Sequence, residues 1–365
     1  MTLARMPLAD GDPTGPAPRI RTMRRETCPA CGSPGRVVIA GISDRAHHVP
    51  GRWNIRECGT CESGWLDPQP IDEDIALCYT GDYYTRQADD LPQPASFLHP
   101  GWKNGLRRLI LNARYGYALP APAFPCSRRL ALVLGAVPAI RSRIAYRGDA
   151  AILPWSGSGR LLDVGCGWGQ YLALAGSLGW EVHGLDPDPE AAEQARLRSG
   201  ADVQVGTLQT ASYSPAAFDA VASLHAIEHT PDPAAFLRAA LQLLKPGGIF
   251  YLQTPNFASL GRRRLAGDWF PLEVPRHLCM LSPRAIRRLL QQATPWAHLT
   301  VRTLSRRAAV DRRLALAVRR SGSFDEQVVP AGRDRLGVAA WRALERAGNA
   351  MLHWGAEIEV IGRMA

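Results

Sequence analysis

Two groups of residues have the types and spacing to do chemistry. The segment "SLHAIEHTPDP", residues 223–233, sets His225, Glu228 and His229 within five positions, between an apolar run and a proline turn. An imidazole titrates near neutral pH and can take a proton from a reacting group, and a neighbouring carboxylate can orient it. The competing reading is a polar rim in which the same side chains bond to backbone where a strand ends. The second group is two cysteine pairs, Cys28 and Cys31 in "CPAC" and Cys58 and Cys61 in "CGTC". Each pair puts two thiolates on one tight turn, with Gly32 and Gly59 letting the backbone curl. Four sulfur ligands close a tetrahedral zinc site with no open position, so the metal is expected to be structural. The 26 residues between the pairs fit a hairpin around Val37 to Ile42 and Trp53 to Ile55. Disulfides are the alternative, disfavoured in a reducing compartment. Cys78, Cys126, Cys166 and Cys279 are scattered and read as small buried apolar residues.

A third constellation lies in "RLLDVGCGWGQ". Leu161 to Val164 reads as a buried strand, and Gly165, Cys166, Gly167 and Gly169 make a turn whose backbone can approach a ligand where a helix starts. A second strand, Trp180 to Leu185, ends at Asp186, 23 residues beyond Asp163, where a carboxylate can accept bonds from ribose hydroxyls. Asp188 reads as a helix cap with Pro189 at the first helical position, and Gly200 as the C-terminal stop.

These sites need a scaffold. From Gly159 onward short apolar runs alternate with helical segments, which predicts a parallel sheet with helices on both faces. Phe218 to Leu224 is the fourth strand and Gly248 to Thr254 the fifth. Between them a helix from Pro233 carries Leu237, Leu241 and Leu244 on one stripe. "SPRAIRRLLQQA" leads to the strand "HLTVRTL", and "AEIEVIGR" is the last strand. At 365 residues and 46% hydrophobic content the chain can bury a large domain plus a smaller one. Its longest apolar run, Leu130 to Ile140, is too short to span a bilayer. Arginines and prolines occupy the N-terminus where a signal peptide needs an apolar block, so a cytoplasmic location is expected. The net charge of +10 invites a nucleic-acid partner. Against it, only Lys103 and Lys245 are lysines, and no basic patch is interleaved with aromatics.

The form D-V-G-C-G-W-G resembles motif I of class I S-adenosylmethionine-dependent methyltransferases. The resemblance continues through "GLDPDP", "FDAVASLHAIEHTPDP", "LLKPGGIFYLQTPN" and "PRHLCMLSP", about residues 159–305. It implies an α/β, Rossmann-like seven-stranded sheet with the last strand antiparallel, and S-adenosylmethionine as cofactor. Asp163 would orient the amino-acid end of that cofactor, Gly165, Gly167 and Gly169 would pass its methionine moiety, Asp186 would hold the ribose, and Thr207 and Leu208 would stand near the adenine. The run "CPACGSPG...ECGTCESGWLDPQP...LCYTGDYY" resembles the zinc-binding domain of sugar C-methyltransferases, in which a histidine at the place of His229 is a base. In quinone-pathway O-methyltransferases an E-x-x-E-H cluster binds a divalent metal; here His225 replaces the first glutamate, and magnesium prefers oxygen ligands.

The resulting expectations are a disordered tail over 1–24, a zinc ribbon over 25–80, a helical linker or substrate cap over 81–150, and a methyltransferase domain over 151–365. A helical insertion is expected at about 307–354, with Trp341, Leu344, Met351 and Leu352 packing into the core. The reaction is methyl transfer to a small molecule, a nucleotide-linked sugar or another polysaccharide or secondary-metabolite precursor. His229 is the base, Glu228 orients it, His225 lines the donor pocket, and His277 in "PRHL" is the reserve base. Alternatives are an rRNA or tRNA base methyltransferase whose zinc ribbon holds RNA, and a cofactor-binding scaffold without activity. Trp269 and Phe270 are candidates to stack on a substrate ring, and Arg262 to Arg264 to meet a diphosphate.

Overall fold

The structure, a computed structural model, describes residues 20–79, 101–120, 128–137, 140, 144–147, 150–306, 308–322, 324 and 335–365. The N-terminal part contains β1 (Thr22–Met23), β2 (Gly35–Ile42), β3 (Trp53–Cys58), β4 (Gly64–Asp67) and β5 (Gln69–Pro70). β2 and β3 form the expected antiparallel hairpin, β4 extends it into a meander, and β1 pairs with β5. The tail therefore ends earlier than the composition suggested. Ile20 to Arg24 are folded, because strand pairing and an Arg21–Asp74 ion pair of 2.8 Å hold them; residues 1–19 lie outside the described residues.

A small hairpin, β6 (Tyr146–Arg147) with β7 (Ala150–Ala151), precedes the large sheet. That sheet takes β8 (Arg160–Val164), β9 (Glu181–Asp186), β10 (Asp202–Val205), β11 (Phe218–Leu224) and β12 (Leu244–Pro255). The two-residue β13 (Cys279–Met280) belongs elsewhere, and β14 (Trp296–Leu304) and β15 (Glu357–Met364) complete the set. The strand order is β10-β9-β8-β11-β12-β15-β14, parallel except for β15, which is antiparallel to both neighbours. β8 and β11 are almost wholly buried, the pattern of strands covered on both faces.

The helix signals act as expected. The Asp188 side chain accepts from the Glu190 amide, Pro189 opens helix Pro189–Ser199, and Gly200 ends it with left-handed backbone. Helix Pro233–Gln242 stops before Leu244, which opens β12 instead and is still buried; Pro246 cannot continue a helix.

Two helices, Ala308–Ser321 and Arg335–Leu352, fill the insertion between β14 and β15. Trp341 packs into a cluster with Trp269, Leu265 and Leu272. Leu344 and Leu352, at 44% and 54% exposure, face outward, contrary to the expected core stripe. The helix buries the stripe through Trp341 and Glu345 instead; the Met351 side chain lies outside the described residues.

The N-terminal module is not a bead on a string. β13 pairs antiparallel with β4 and completes a four-stranded sheet, β13-β4-β3-β2, across the boundary expected near residue 80. The Leu66 amide donates to the Leu278 carbonyl at 3.1 Å, and Arg25 donates to the Pro231 carbonyl at 2.7 Å.

Candidate active site

The end of β8 turns sharply at Gly165, Gly167 and Gly169, all at positive φ. Two of these glycines are required by neighbours. A Cβ on Gly165 would lie 2.4 Å from the Ala226 side chain, and one on Gly169 would lie 2.8 Å from the Ala195 backbone. A Cβ on Gly167 would meet nothing within 4 Å, so the turn opens there. Asp186, at the end of β9, pins this turn: one carboxylate oxygen accepts from the Gly167 amide at 2.8 Å, the other from the Asp188 amide at 2.9 Å. Burial raises its pKa despite those bonds. Each oxygen keeps a second lone pair for a ligand. Asp163 is 2% exposed, its Oδ1 has no hydrogen-bond partner, and burial with the nearby Asp186 pushes it up to about 8. A buried acceptor in that state suits a cationic group.

The other residues expected here divide. The Cys166 side chain packs with Leu172, Ala192 and Ala195, so only its backbone belongs to the turn. Thr207 is exposed after β10, and Leu208 packs against the main core.

Gly165 touches Ala226 because β8 and β11 are neighbours, and this sets the start of the segment 225–229 against the turn. His225 has left-handed backbone, and its ring lies between two buried carboxylates, 3.3 Å from Glu228 and 3.3 Å from Glu357. Burial alone would lower its pKa; those two partners outweigh it and raise it to about 10. Glu228 is fully buried, which alone would raise it, yet the His225 cation holds it at about 2. Its second oxygen accepts from Thr254 at 2.9 Å. Glu228 therefore serves His225 and Thr254, not His229 as the sequence suggested. The reason is that its two oxygens are already taken, one facing His225 Nδ1 and the other accepting from Thr254.

The His229 ring instead meets Tyr79, whose hydroxyl is 2.8 Å from Nδ1. Burial and the neighbouring His277 hold His229 down to about 4, so it is neutral at physiological pH. His277 stacks edge-on against it, ring centroids 4.7 Å apart, and is itself oriented by a 2.7 Å bond from Nδ1 to the Pro271 carbonyl. Glu228, His229 and His277 offer ligand atoms within 4.8 Å of one another. Tyr79 lies in "LCYTGDYY" and had no expected role. The Cys78 carbonyl, immediately before it, accepts from the buried Arg276 at 3.1 Å, a contact from 198 residues away that no sequence signal marks.

Arg276 is fully buried. It ion-pairs with Asp44 at 2.8 Å and Glu273 at 3.2 Å, and so ties the N-terminal module to the loop that carries His277. Four of the five aromatic and basic candidates for substrate contact are otherwise engaged, Phe270 lying edge-on to Phe324 with ring centroids 5.1 Å apart, while Arg264 is exposed. Trp269 is fully buried, 3.3 Å from Asp311. Arg262 pairs with Glu57 at 2.7 Å over the Phe257 ring, and Arg263 donates to the Ala258 carbonyl.

The four sulfurs of Cys28, Cys31, Cys58 and Cys61 also lie within 4.8 Å of one another, with Cys28–Cys61 and Cys31–Cys58 each at 3.5 Å. The two turns repeat: the first cysteine of each accepts from the residue four positions on, Gly32 or Glu62. Both of these are left-handed, so in the second turn Glu62 takes the place expected of a glycine, and Gly59 does not. The Thr60 and Cys61 amides point at the Cys58 sulfur at 3.4 Å. Contacts of 3.5 Å are far longer than a disulfide bond and near the edge of a sulfur tetrahedron around zinc.

Residues 137–293 match the model of a methyltransferase domain family. The chain carries a class I S-adenosylmethionine-dependent methyltransferase domain. It is similar to the ubiquinone biosynthesis O-methyltransferase of Xanthomonas campestris pv. campestris, 39% identical over 120 residues, which is 31% of this chain and 49% of the relative. The corresponding Xanthomonas euvesicatoria protein is 41% identical over 103 residues, 27% of this chain and 43% of that one. The chain thus spans about half the length, or less, of these relatives. A methyltransferase structure from Archaeoglobus fulgidus covers 65% of this chain and 94% of its own at 19% identity, with a TM-score of 0.40. Among the described residues no helix is long and apolar enough to cross a membrane.

Proposed function

We propose that the protein moves a methyl group from S-adenosylmethionine to a small-molecule acceptor held between the methyltransferase domain and the N-terminal module, with Tyr79 and His229 removing the acceptor's proton. The bound cofactor supplies a methyl carbon already activated by sulfonium. Everything else falls to alignment and proton removal. The unpartnered Asp163 oxygen suits the cofactor's ammonium, Asp186 its ribose, and the open side of Gly167 its passage; Thr207 and Leu208 are assigned the adenine end. The observation that carries the reading is the Tyr79–His229 hydrogen bond, three residues beyond the Ala226 that packs on the glycine turn. A neutral Nδ1 accepting from the tyrosine hydroxyl lets a proton leave the acceptor through that oxygen. His225, charged between two carboxylates, is a positioning residue at the donor side, and His277 orders the His229 ring.

Cys28, Cys31, Cys58 and Cys61 are assigned a structural zinc ion. The acceptor assigned first is a nucleotide-linked sugar or a related precursor, because the module that supplies Tyr79 resembles the one in sugar methyltransferases. A second reading, a phenolic quinol precursor, is favoured by the similarity to the Xanthomonas ubiquinone biosynthesis O-methyltransferases. An RNA-holding role for the module is weakened by its fusion to the catalytic domain through β13. The test is labelled methyl transfer to nucleotide sugars, quinol precursors and rRNA side by side; transfer to rRNA alone would reject the proposal.

A further inference from the structure

Five of the large apolar side chains exposed among the described residues belong to one pair of helices. These are Trp102, Leu130, Leu132, Val133 and Val137, at 65%, 48%, 39%, 63% and 42% exposure. The helices are Trp102–Tyr115 and Arg128–Ala136, with Val137 just past the end of the second. Leu130, Val133 and Val137 recur at the spacing of one helical face. That face is fixed by what lies behind it. Ile110, Leu111 and Ala131 are fully buried in the core, and Gly135 lets the helices close up, since a Cβ there would sit 2.9 Å from Ile110 and 2.5 Å from Arg114. The charge is equally one-sided. Residues 101–147 contain nine Lys or Arg and no Asp or Glu, and of these Lys103, Arg114 and Arg129 are exposed among the described side chains. Arg114 spends one donor on the Leu132 carbonyl, and Lys103 stands 5.7 Å over the Trp102 ring; neither contact neutralises a positive charge.

We propose that this face docks on an anionic lipid surface, with Leu130, Val133 and Val137 entering the headgroup layer and Lys103, Arg114 and Arg129 of the same helix pair meeting lipid phosphates. Exposed aliphatic side chains joined on one helix pair by exposed cations are the composition of an interfacial helix. A nucleic-acid groove would use stacking aromatics and gain nothing from valine and leucine, and a second copy of the chain would bring positive charge against positive charge. The docking is peripheral, because a helix of nine residues reaches only into the interface. It holds whatever the acceptor is.

The test is flotation of the full-length protein with vesicles of phosphatidylcholine alone or with about 30% phosphatidylglycerol. Binding is expected to the anionic vesicles only, and to fall about tenfold between roughly 50 mM and 500 mM salt. The paired substitution Leu130→Asp and Val133→Asp is expected to weaken it about tenfold, with cofactor affinity by calorimetry unchanged to show that the fold survives. Failure to float, equal binding to neutral vesicles, or full binding by the variant overturns the proposal. So does sedimentation showing a dimer that the variant abolishes, or RNA binding that the variant weakens while lipid binding persists.

Discussion

Tyr79 Oη lies 2.8 Å from Nδ1 of His229, joining residues 150 positions apart and two separate parts of the chain. If this pair removes the acceptor's proton, His229→Ala lowers turnover roughly 10²-fold or more, with S-adenosylmethionine affinity within about threefold. Tyr79→Phe keeps the ring and loses only the hydroxyl, so its turnover also falls while zinc content and melting temperature hold. Steady-state kinetics beside calorimetry separates these outcomes. Unchanged turnover in both variants moves the base elsewhere, with His277 the next residue to test.

Purified protein is expected to hold one zinc per chain by elemental analysis. Cys58→Ser combined with Cys61→Ser removes it and lowers the melting temperature by roughly 10 °C or more, because binding free energy at such a site is folding free energy. The loss reaches the active site, since Ser282 bonds the Cys61 carbonyl and the Leu278 amide bonds the Glu228 carbonyl. Zinc retained in full by the double variant rejects the assignment.

Asp186→Ala should weaken cofactor binding by about 1 to 3 kcal/mol through lost charge-assisted bonds. Asp163 adds a pH signature. Burial and Asp186 hold it at about 8 without ligand, so below that pH it is mostly protonated, and a cationic ammonium favours its ionised form. Affinity is expected to tighten as pH rises from neutrality through about 8, and to lose that slope in Asp163→Asn. Folding follows the opposite sign. A carboxyl whose folded pKa exceeds its unfolded value costs stability as pH rises between the two. Calorimetry across pH that finds equal slopes in both proteins removes Asp163 from the cofactor site.

Arg276→Met leaves Asp44 and Glu273 buried without their cation. Removal of one partner from such a pair costs about 3 to 5 kcal/mol, read as a shift in the urea midpoint. Burial alone would raise the Asp44 pKa, but Arg276 and the Ala46 and His47 amides hold it below the usual carboxylate value. Wild-type stability from this group is therefore present above its unfolded pKa and fades as pH falls through the folded one. The variant should lose that acid dependence; a midpoint within experimental error of wild type contradicts the clamp.

Most of the sheet was legible because buried parallel strands leave continuous apolar runs, and Asp188, Pro189 and Gly200 mark helix ends through purely local chemistry. The glycine turn, Asp163 and Asp186 were legible for the same reason: their spacing is set within one β-α-β unit. What the sequence hid was long-range. Nothing in "LCYT" announces that Tyr79 meets His229, and nothing near Cys279 announces that it joins the sheet of β4. Glu228 bonds His225 and Thr254 in place of His229 because Thr254 arrives from strand β12, a long-range pairing no local pattern shows. Arg262 and Trp269 looked available because their partners, Glu57 and Asp311, are remote in the chain.

The strand Cys279–Met280 carries a consequence for how the molecule is made. A ribosome releases both cysteine pairs and β4 long before it reaches residue 279, so the cysteine module emerges with an open sheet edge at β4 and cannot be completed until the catalytic domain is largely synthesised. Pairings of such long sequence separation form late and slowly. The cysteine module is therefore no interchangeable cassette. Shortened at residue 80, or grafted onto another enzyme, it would leave the ribosome with that edge bare, exposed to any strand that could pair with it.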